Sequence, residues 1–318
     1  MNDFPDISIV VPMHNEEGNV VPLWEAVDNV IPRLDRNVEL ILVNDGSTDD
    51  TGRLLEELAA KDPRVRIIEL DGNWGQASAF CAGFEAARGS IIMTMDGDLQ
   101  NDPEDFPRAL AKLEEGFRVV TGWRRDRKER YWNRVLPSMC ANWLIGRVTG
   151  VPIHDNGCGL KAYRAEVVKG TYLPRGFNRF MPSIFGVKAD EVAEIIANDR
   201  KRLAGHTHYG LERIFIVLKD LMAIPWIRRN PSRYRTVFSV LRILCGAGAV
   251  GLFALRIAGG SGYWLIVVTL LFLSASICQL IVQNLDRFLE TQKSKGFRIR
   301  RVIGDAAEAE TTDRNAAL

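Results

Sequence analysis

The sequence predicts an α/β domain built on a mostly parallel, doubly wound sheet, followed by an amphipathic helix and a two-helix transmembrane hairpin. Three observations lead there. Short apolar runs alternate with helical stretches over residues 6–95, the pattern of strands joined by crossover helices. The loops closing those strands are rich in Asp, Asn, Gly and Ser. Two long apolar stretches near the C-terminal end each approach the roughly 20 residues needed to cross a bilayer.

Taken in order, Ile7–Val11 is expected as the first strand and Glu16–Leu34 as a helix ending near Arg36-Asn37. Glu39–Val43 is the second strand, and Thr48–Lys61 a helix capped by Ser47 or Thr48. Val65–Leu70, a helix over Gln76–Ala87 closed by Gly89, and a strand over Ile91–Met95 follow. Val119–Gly122 supplies a further strand. Ligands of such sheets bind outside the carboxyl ends of the strands. Three polar loops emerge there: Pro12-Met13-His14-Asn15-Glu16, Asn44-Asp45-Gly46-Ser47-Thr48-Asp49 and Asp96-Gly97-Asp98-Leu99-Gln100.

The third loop organises the chain. Asp96 and Asp98 offer two hard oxygen donors, which suit Mg²⁺ or Mn²⁺ bound through carboxylates plus substrate phosphates, and Gln100 adds a neutral oxygen. Glu16 and Asp45 can accept hydrogen bonds from a nucleobase or ribose. Each loop also has an ordinary role. Asp102-Pro103-Glu104 looks like a helix start, and Asn44–Asp49 has the residues of a turn and cap. Their convergence on one sheet edge favours a site.

Net charge is +1, so no global field points to nucleic acid. Five cysteines form no C-x-x-C pair and no metal-ligand spacing. With no cleavable signal at the acidic N-terminus, the expectation is reduced thiols in a cytosolic domain. Cys158 and His154 are read as structural.

"SIVVPMHNEEGN", "LILVNDGSTDDT" and "IIMTMDGDLQNDPE", in that order and spacing, resemble the family 2 glycosyltransferases of the Rossmann-like GT-A fold. The closer likeness is to the dolichyl-phosphate mannose synthase branch, including bacterial undecaprenyl-phosphate sugar transferases, over roughly residues 5–290. The resemblance implies that Pro12, His14, Asn15, Glu16, Asp45, Asp96, Gly97 and Arg124 hold a nucleotide-sugar. It also implies that Asp96, Asp98 and Gln100 hold the metal. His14 stands where the family usually has Tyr, and Gly97 where Ala is common. The basic stretch "TGWRRDRKERYWNRVLPS" suits phosphate recognition. By resemblance Arg124 lies near the donor phosphates, while Arg134 and Ser138 grip the acceptor phosphate. Asp155 in "HDNGCGLKAYRAEVV" is either a base or an orienting partner for Arg134. Arg202, in a segment where Thr207 and His208 replace the family's Ser and Lys, closes over phosphate. The expected catalytic set is Asp98, Arg124, Arg134 and Asp155.

The expected domains are 1–209 (cytoplasmic catalytic), 210–235 (amphipathic helix and basic anchor), 236–284 (hairpin) and 285–318 (cytoplasmic tail). Gly210–Ile224 has an amphipathic pattern suited to a bilayer interface or to packing on the catalytic domain. Val240–Ala258 carries Arg242 and Arg256 near its ends, where both can snorkel, and Tyr263–Val282 has no charge. Basic flanks on both sides of the hairpin place its ends in the cytoplasm of a multi-pass inner-membrane protein. A homo-oligomer is compatible with such a hairpin. The function expected is inverting transfer of a sugar, UDP-linked in preference to GDP-mannose, onto undecaprenyl phosphate for envelope glycan or lipid A modification. The alternatives are a processive polysaccharide synthase, for which a Gln-x-x-Arg-Trp segment is missing, and a non-catalytic membrane scaffold. Nothing in the sequence encodes the sugar.

Overall fold

The computed structural model describes residues 4–125, 136–200, 212–257 and 264–304. They divide into two units, residues 1–208 with 294–318, and residues 209–293.

The first unit is organised by an eight-stranded sheet. Its strands are β1 (Ile7–Met13), β2 (Val38–Asn44), β3 (Val65–Leu70), β4 (Ile91–Thr94), β5 (Val119–Trp123), β6 (Lys161–Arg164), β7 (Val192–Ile196) and β8 (Ile299–Ile303), in the order β7-β5-β6-β4-β1-β2-β3-β8. The helices of this unit are α1 (Val20–Asp28), α2 (Ile31–Leu34), α3 (Thr51–Lys61), α4 (Gln76–Ala86), α5 (Phe106–Glu114), α6 (Leu136–Thr149), α7 (Ala165–Val168) and α8 (Met181–Ile184). β3-β2-β1-β4 is wholly parallel. Covered on both faces, such strands read as continuous apolar runs, and β1 and β2 are buried along their whole length. The chain winds outward from β1 in opposite directions to β2 and β4. The crevice between the loops after β1 and β4 is therefore a topological switch point.

Two strands depart from the parallel set. β6 inserts antiparallel between β4 and β5, pairing Lys161 with Thr94 and with Thr121. This reversal brings the chain before β6 (residues 155–160) across the carboxyl ends of β4 and β5. β8 pairs antiparallel with β3, although residues 285–318 were expected as a tail. Arg301 contributes ion pairs to Glu69 and Glu56. Phe297, 5% exposed, packs on Tyr172 with ring centroids 6.0 Å apart. These long-range contacts have no local sequence signature.

Other differences have local causes. The expected helix over Glu16–Leu34 is interrupted between α1 and α2, and the second piece carries Pro32 in its first turn, where a missing N–H is tolerated. The helix expected from Thr48 begins at Thr51. Thr48 N–H and Oγ1 both donate to Asn15 Oδ1 (2.8 and 3.3 Å), and Ser47 Oγ accepts from Asn15 N–H (3.1 Å). The capping residues are spent on the neighbouring loop. At the opposite, amino-terminal sheet edge, Glu39 is buried against Arg66 (2.7 Å) and accepts from Ser8 Oγ (2.5 Å) and Arg88 N–H (2.7 Å).

The second unit holds α9 (Glu212–Leu221), α10 (Ile224–Arg229), α11 (Pro231–Ile257) and α12 (Trp264–Ser294). α11 and α12 are long and apolar enough to span a membrane and stand largely uncovered, unlike core helices of a soluble domain. Arg242 donates across the pair to Gln279, so its guanidinium has an acceptor inside the hairpin. α9 is tied to α12: Asn284 Nδ2 donates to the Lys219 carbonyl (2.9 Å), and buried Asp220 lies 3.6 Å from Arg287. Trp226 packs against Tyr234 and Phe238 at 4.7 and 5.1 Å.

Phe297→Ala should destabilise the first unit by about 3 kcal/mol, the usual cost of emptying a buried aromatic site. Denaturant unfolding of the detergent-solubilised protein measures it; an unchanged midpoint would show that the Phe297–Tyr172 contact adds nothing.

Candidate active site

The loops after β1, β2 and β3 lock together before they offer anything to a ligand. Both Asp45 carboxylate oxygens accept backbone N–H groups, from Trp74 (2.7 Å) and Gly75 (2.8 Å). His14 Nδ1 lies 2.8 Å from the Asp45 carbonyl, and its Nε2 lies 2.8 Å from Asn73 Nδ2. The pattern fits the neutral tautomer with the proton on Nδ1, since the carbonyl can only accept and the amide can donate. Glu16 Oε2 accepts from Asn19 (2.5 Å). Asn15 and Asp45 therefore act first as clamps between loops; His14 and Glu16 extend from the loop after β1, while Pro12 is buried within β1.

Asp96 leaves β4 at the switch point. Its backbone N–H donates to Asn101 Oδ1 (3.0 Å), and its Oδ1 accepts from Gln76 Nε2 (2.6 Å), whose own Oε1 accepts from Asn178 (2.7 Å). Its carboxylate lies against the backbone of Gly159, where any side chain would collide with it. A Cβ at Gly97 would stand 2.6 Å from Met13 Sδ and 2.9 Å from the Pro12 carbonyl. An alanine at this position thus needs a local shift here. Leu99 adopts a left-handed conformation (φ 60°), unusual for a branched residue. That turn brings Gln100 N–H to Asp98 Oδ1 (3.1 Å).

The electrostatics follow from this crowding. Burial first, and then the charge of Asp98, push the Asp96 carboxyl up to about 6, against the opposing pull of Lys161, Arg124 and the Gln76 hydrogen bond. Two carboxylates held this way suit a divalent cation. Among the described residues no group of three or more His, Cys, Asp or Glu forms a ready-made metal cage.

Across the crevice Arg124 and Asp155 form a bidentate pair (Nε–Oδ2 2.8 Å, Nη2–Oδ1 3.3 Å), with Asp155 1% exposed. Burial opposes the Arg124 charge, but Asp155 and Asp96 more than offset it and raise its pKa. Of the two roles foreseen for Asp155, this geometry supports orientation, with Arg124 as the partner. Arg134 and Arg202 lie outside the described residues. Ser138 lies on α6 at the same side as Arg124.

Several contributors carried no motif. Lys161 is 2% exposed and donates to the Cys158 carbonyl. Burial lowers its pKa, and the Asp96 and Asp155 carboxylates act against that. Gln76, Asn101, Gly159 and Asn178 became visible only through their neighbours. Cys158 is buried, its thiol pushed up to about 11 by burial, which suits packing and not nucleophilic attack. His154 stacks on Trp123 (4.3 Å) and bonds Glu194 through Nδ1 (2.6 Å).

The sequence profile described as Glycosyl transferase family 2 matches residues 8–171, more than half of the chain. The chain belongs to glycosyltransferase family 2. Among similar proteins, dodecaprenyl-phosphate galacturonate synthase of Rhizobium johnstonii is 40% identical over 258 residues, 80% of this chain and 76% of the relative. Undecaprenyl-phosphate 4-deoxy-4-formamido-L-arabinose transferase of Pseudomonas paraeruginosa is 31% identical over 314 residues, 95% and 92% of the two chains. Among solved structures, glucosyl-3-phosphoglycerate synthase of Mycobacterium tuberculosis, bound to Mn²⁺, UDP and glucosyl-3-phosphoglycerate, aligns with a TM-score of 0.53 at 21% identity. It covers 70% of this chain and 80% of that one. The likeness is one of fold, and this glycosyltransferase has the GT-A-like architecture that its motifs imply.

Two outcomes are expected. Gly159→Ala should weaken Mn²⁺ binding by about 10–100-fold, the usual effect of disturbing a group that supports a ligand; an unchanged titration would mean the Asp96 position is not critical. Asp96→Asn should stabilise the metal-free protein by about 1–2 kcal/mol at pH 7.5, because the fold disfavours the ionised acid. The sign follows from a folded pKa above the unfolded one: the charge penalty grows as pH rises from about 4 to 6 and is absent below. Thermal unfolding at pH 7.5 and pH 4 should therefore show the gain only at the higher pH.

Proposed function

We propose that this enzyme transfers a sugar, with inversion, from a UDP-sugar to undecaprenyl phosphate or a similar polyprenyl phosphate, giving a polyprenyl-phospho-sugar and UDP. The observation that carries the reading is the pairing, across one switch-point crevice, of a carboxylate pair suited to a divalent cation with a buried, carboxylate-fixed arginine. Relatives named for prenyl-phosphate sugar transfer, matching up to 95% of the chain, support the lipid acceptor. UDP in the structural neighbour is consistent with the donor.

In this reading a phosphate oxygen of the acceptor attacks the anomeric carbon as the bond from that carbon to the donor diphosphate breaks. The nucleophile is already an anion near neutral pH, so a strong base is not required. Asp155 is free to spend its charge on Arg124. The chain's task is positioning and charge neutralisation. Arg124 presents a fixed guanidinium to phosphate, and Arg134 and Ser138 take the acceptor phosphate. The β1 and β2 loops hold the base and ribose through Pro12, His14, Glu16 and the remaining acceptor capacity of Asp45. Asp96, Asp98 and Gln100 hold Mg²⁺ or Mn²⁺, which when bound supplies Lewis-acid neutralisation of the leaving diphosphate.

In this reading the catalytic domain lies on the cytoplasmic side of the inner membrane, which the basic residues flanking α11 and α12 support. There the lipid product would serve envelope glycan or lipid A modification. Residues 210–235 act as the juxtamembrane anchor between catalytic domain and hairpin.

Purified protein with undecaprenyl phosphate, Mn²⁺ or Mg²⁺ and a panel of UDP- and GDP-sugars, including UDP-uronic acids, should yield one lipid-phospho-sugar by mass spectrometry. Asp98→Ala or chelator should abolish it. Arg124→Lys, which loses the two-pronged contact with Asp155, should lower kcat about 100-fold, the scale on which a lost electrostatic donor acts. Formation of a growing polymer, or no lipid product from any donor, would overturn the assignment.

A further inference from the structure

The segment between α7 and α8 reaches the acidic loop by a route that the transfer reaction leaves unassigned. It is strapped along α4. Leu173 N–H donates to Cys81 Sγ (3.3 Å), and Leu173, Phe177 and Phe180 are fully buried. The two phenylalanine rings meet edge to face, with centroids 5.8 Å apart, across a short turn over Phe177–Phe180. Two contacts then tie the strap to the start of α4. Arg175 Nη2 donates to Asn73 Oδ1 (3.2 Å), and its side chain lies against Gly75, where a Cβ would stand 2.9 Å from Arg175 Cγ. Three residues later Asn178 Nδ2 donates to Gln76 Oε1 (2.7 Å), and Gln76 Nε2 donates to Asp96 Oδ1 (2.6 Å).

The polarity of this relay is fixed at one end. An ionised carboxylate only accepts hydrogen bonds, so Gln76 turns its Nε2 to Asp96 and its Oε1 to Asn178. Asn178 in turn uses one N–H on Gln76, and the oxygen and nitrogen of both amides are thereby told apart. Its Oδ1 and second N–H remain, and among the described residues neither has a protein partner. Asn178 is half-buried and Gln76 exposed, while Phe177 and Phe180 on either side anchor the turn in the core. An amide held in this way is pre-organised, so a ligand that meets it does not have to order it.

We propose that Asn178 reads one hydroxyl of the donor sugar, accepting its proton on Oδ1, with Gln76 as the residue that fixes its orientation. The proposal rests on the transfer reaction given above. In that reading the donor diphosphate is held at Asp96 and Asp98, and the sugar is joined directly to it. The sugar therefore sits beside Asp96, and Asn178 stands one glutamine side chain away from that carboxylate. The same strap also meets the nucleotide side, because Asn73, which Arg175 holds, bonds His14 (2.8 Å). The ligand chemistry follows from what the relay leaves over. A sugar hydroxyl donates, and the amide oxygen accepts. A phosphate presents acceptors alone, which suits the Arg124 guanidinium and not an amide oxygen. A site built to bond one hydroxyl discriminates against a sugar that lacks it, because a polar group is then left unpaired.

The test is donor discrimination by the full-length protein, wild type and Asn178→Ala. The probes are the UDP-sugar with the highest kcat/KM in the donor panel and its monodeoxy analogues, beside calorimetric binding of UDP with Mn²⁺. In the wild type, one monodeoxy analogue should lose about tenfold in kcat/KM, the scale of one hydrogen bond whose partner is left unpaired. Asn178→Ala should lose about tenfold with the full sugar and nothing further with that analogue. The other analogues should keep their wild-type ratios to the full sugar. UDP affinity and the KM for undecaprenyl phosphate should move less than about twofold, because neither contains the transferred sugar. Equal weakening of UDP and UDP-sugar by Asn178→Ala would make the residue a support of the fold and overturn the assignment. So would deoxygenation losses that the substitution leaves unchanged. Either result leaves the transfer reaction standing. No lipid product from any UDP-sugar, with UDP still bound, would instead overturn the function on which the proposal rests.

Discussion

A carboxylate held inside protein beside a second carboxylate needs positive charge close by, and the architecture of the catalytic domain meets that need with one antiparallel strand. Asp96 stands at the end of β4, crowded enough that its pKa rises to about 6. β6 runs against β4 and β5, so its first residue, Lys161, and the turn before it arrive where Asp96 emerges. β5 ends at the same edge and delivers Arg124. Had β6 been parallel, residues 155–160 would lie at the other edge, and the acidic loop would lack its counter-charges. Gly159 belongs to the same constraint, since its bare backbone is what the Asp96 carboxylate rests on.

The two edges of the sheet divide the work. At the amino edge, Glu39 and Arg66 are both buried and bonded to Ser8 and to backbone around Arg88, an arrangement that joins three strands. At the carboxyl edge, polar groups are clamped to one another in a way that leaves a crevice. Asn15 is bound to Thr48, Asp45 to the 74–75 backbone, and Gln76 to Asp96. Such pre-organisation is what charge-stabilising catalysis requires, because the donors need not reorganise as charge moves. In the second unit Arg242 of α11 donates to Gln279 of α12, and Asp220 of α9 is paired with Arg287.

Legibility followed the range of the interactions. The β3 strand, Val65–Leu70, coincides with its expected limits because its apolar run is local information. Asp96, Asp98 and the β1 and β2 loops were readable because a strand-end position and an acidic composition are both sequence properties. Helix starts fared less well: Ser47 and Thr48 have capping chemistry, but Asn15, more than thirty residues away, uses it. β8 was missed for a similar reason, since five residues of mixed character become a strand only when β3 offers an open edge. Lys161 gave no signal at all. A lysine following Leu160 and preceding Ala162 looks like a solvent-facing strand residue until the fold surrounds it.

The sequence by itself determined the alternation of strands and helices, the acidic loops at their ends, the basic segment after β5 and the two membrane-length helices. These are properties of spacing and composition, which act over a few residues. Only the tertiary structure decided that Asp155 holds Arg124, that Lys161 and Gly159 stand against Asp96, and that α6 lines a groove beside the Arg124–Asp155 pair. Those relations join residues far apart in the chain, and they depend on the direction in which β6 crosses the sheet. A strand's direction is set by what it packs between, and no local pattern in residues 155–164 records it.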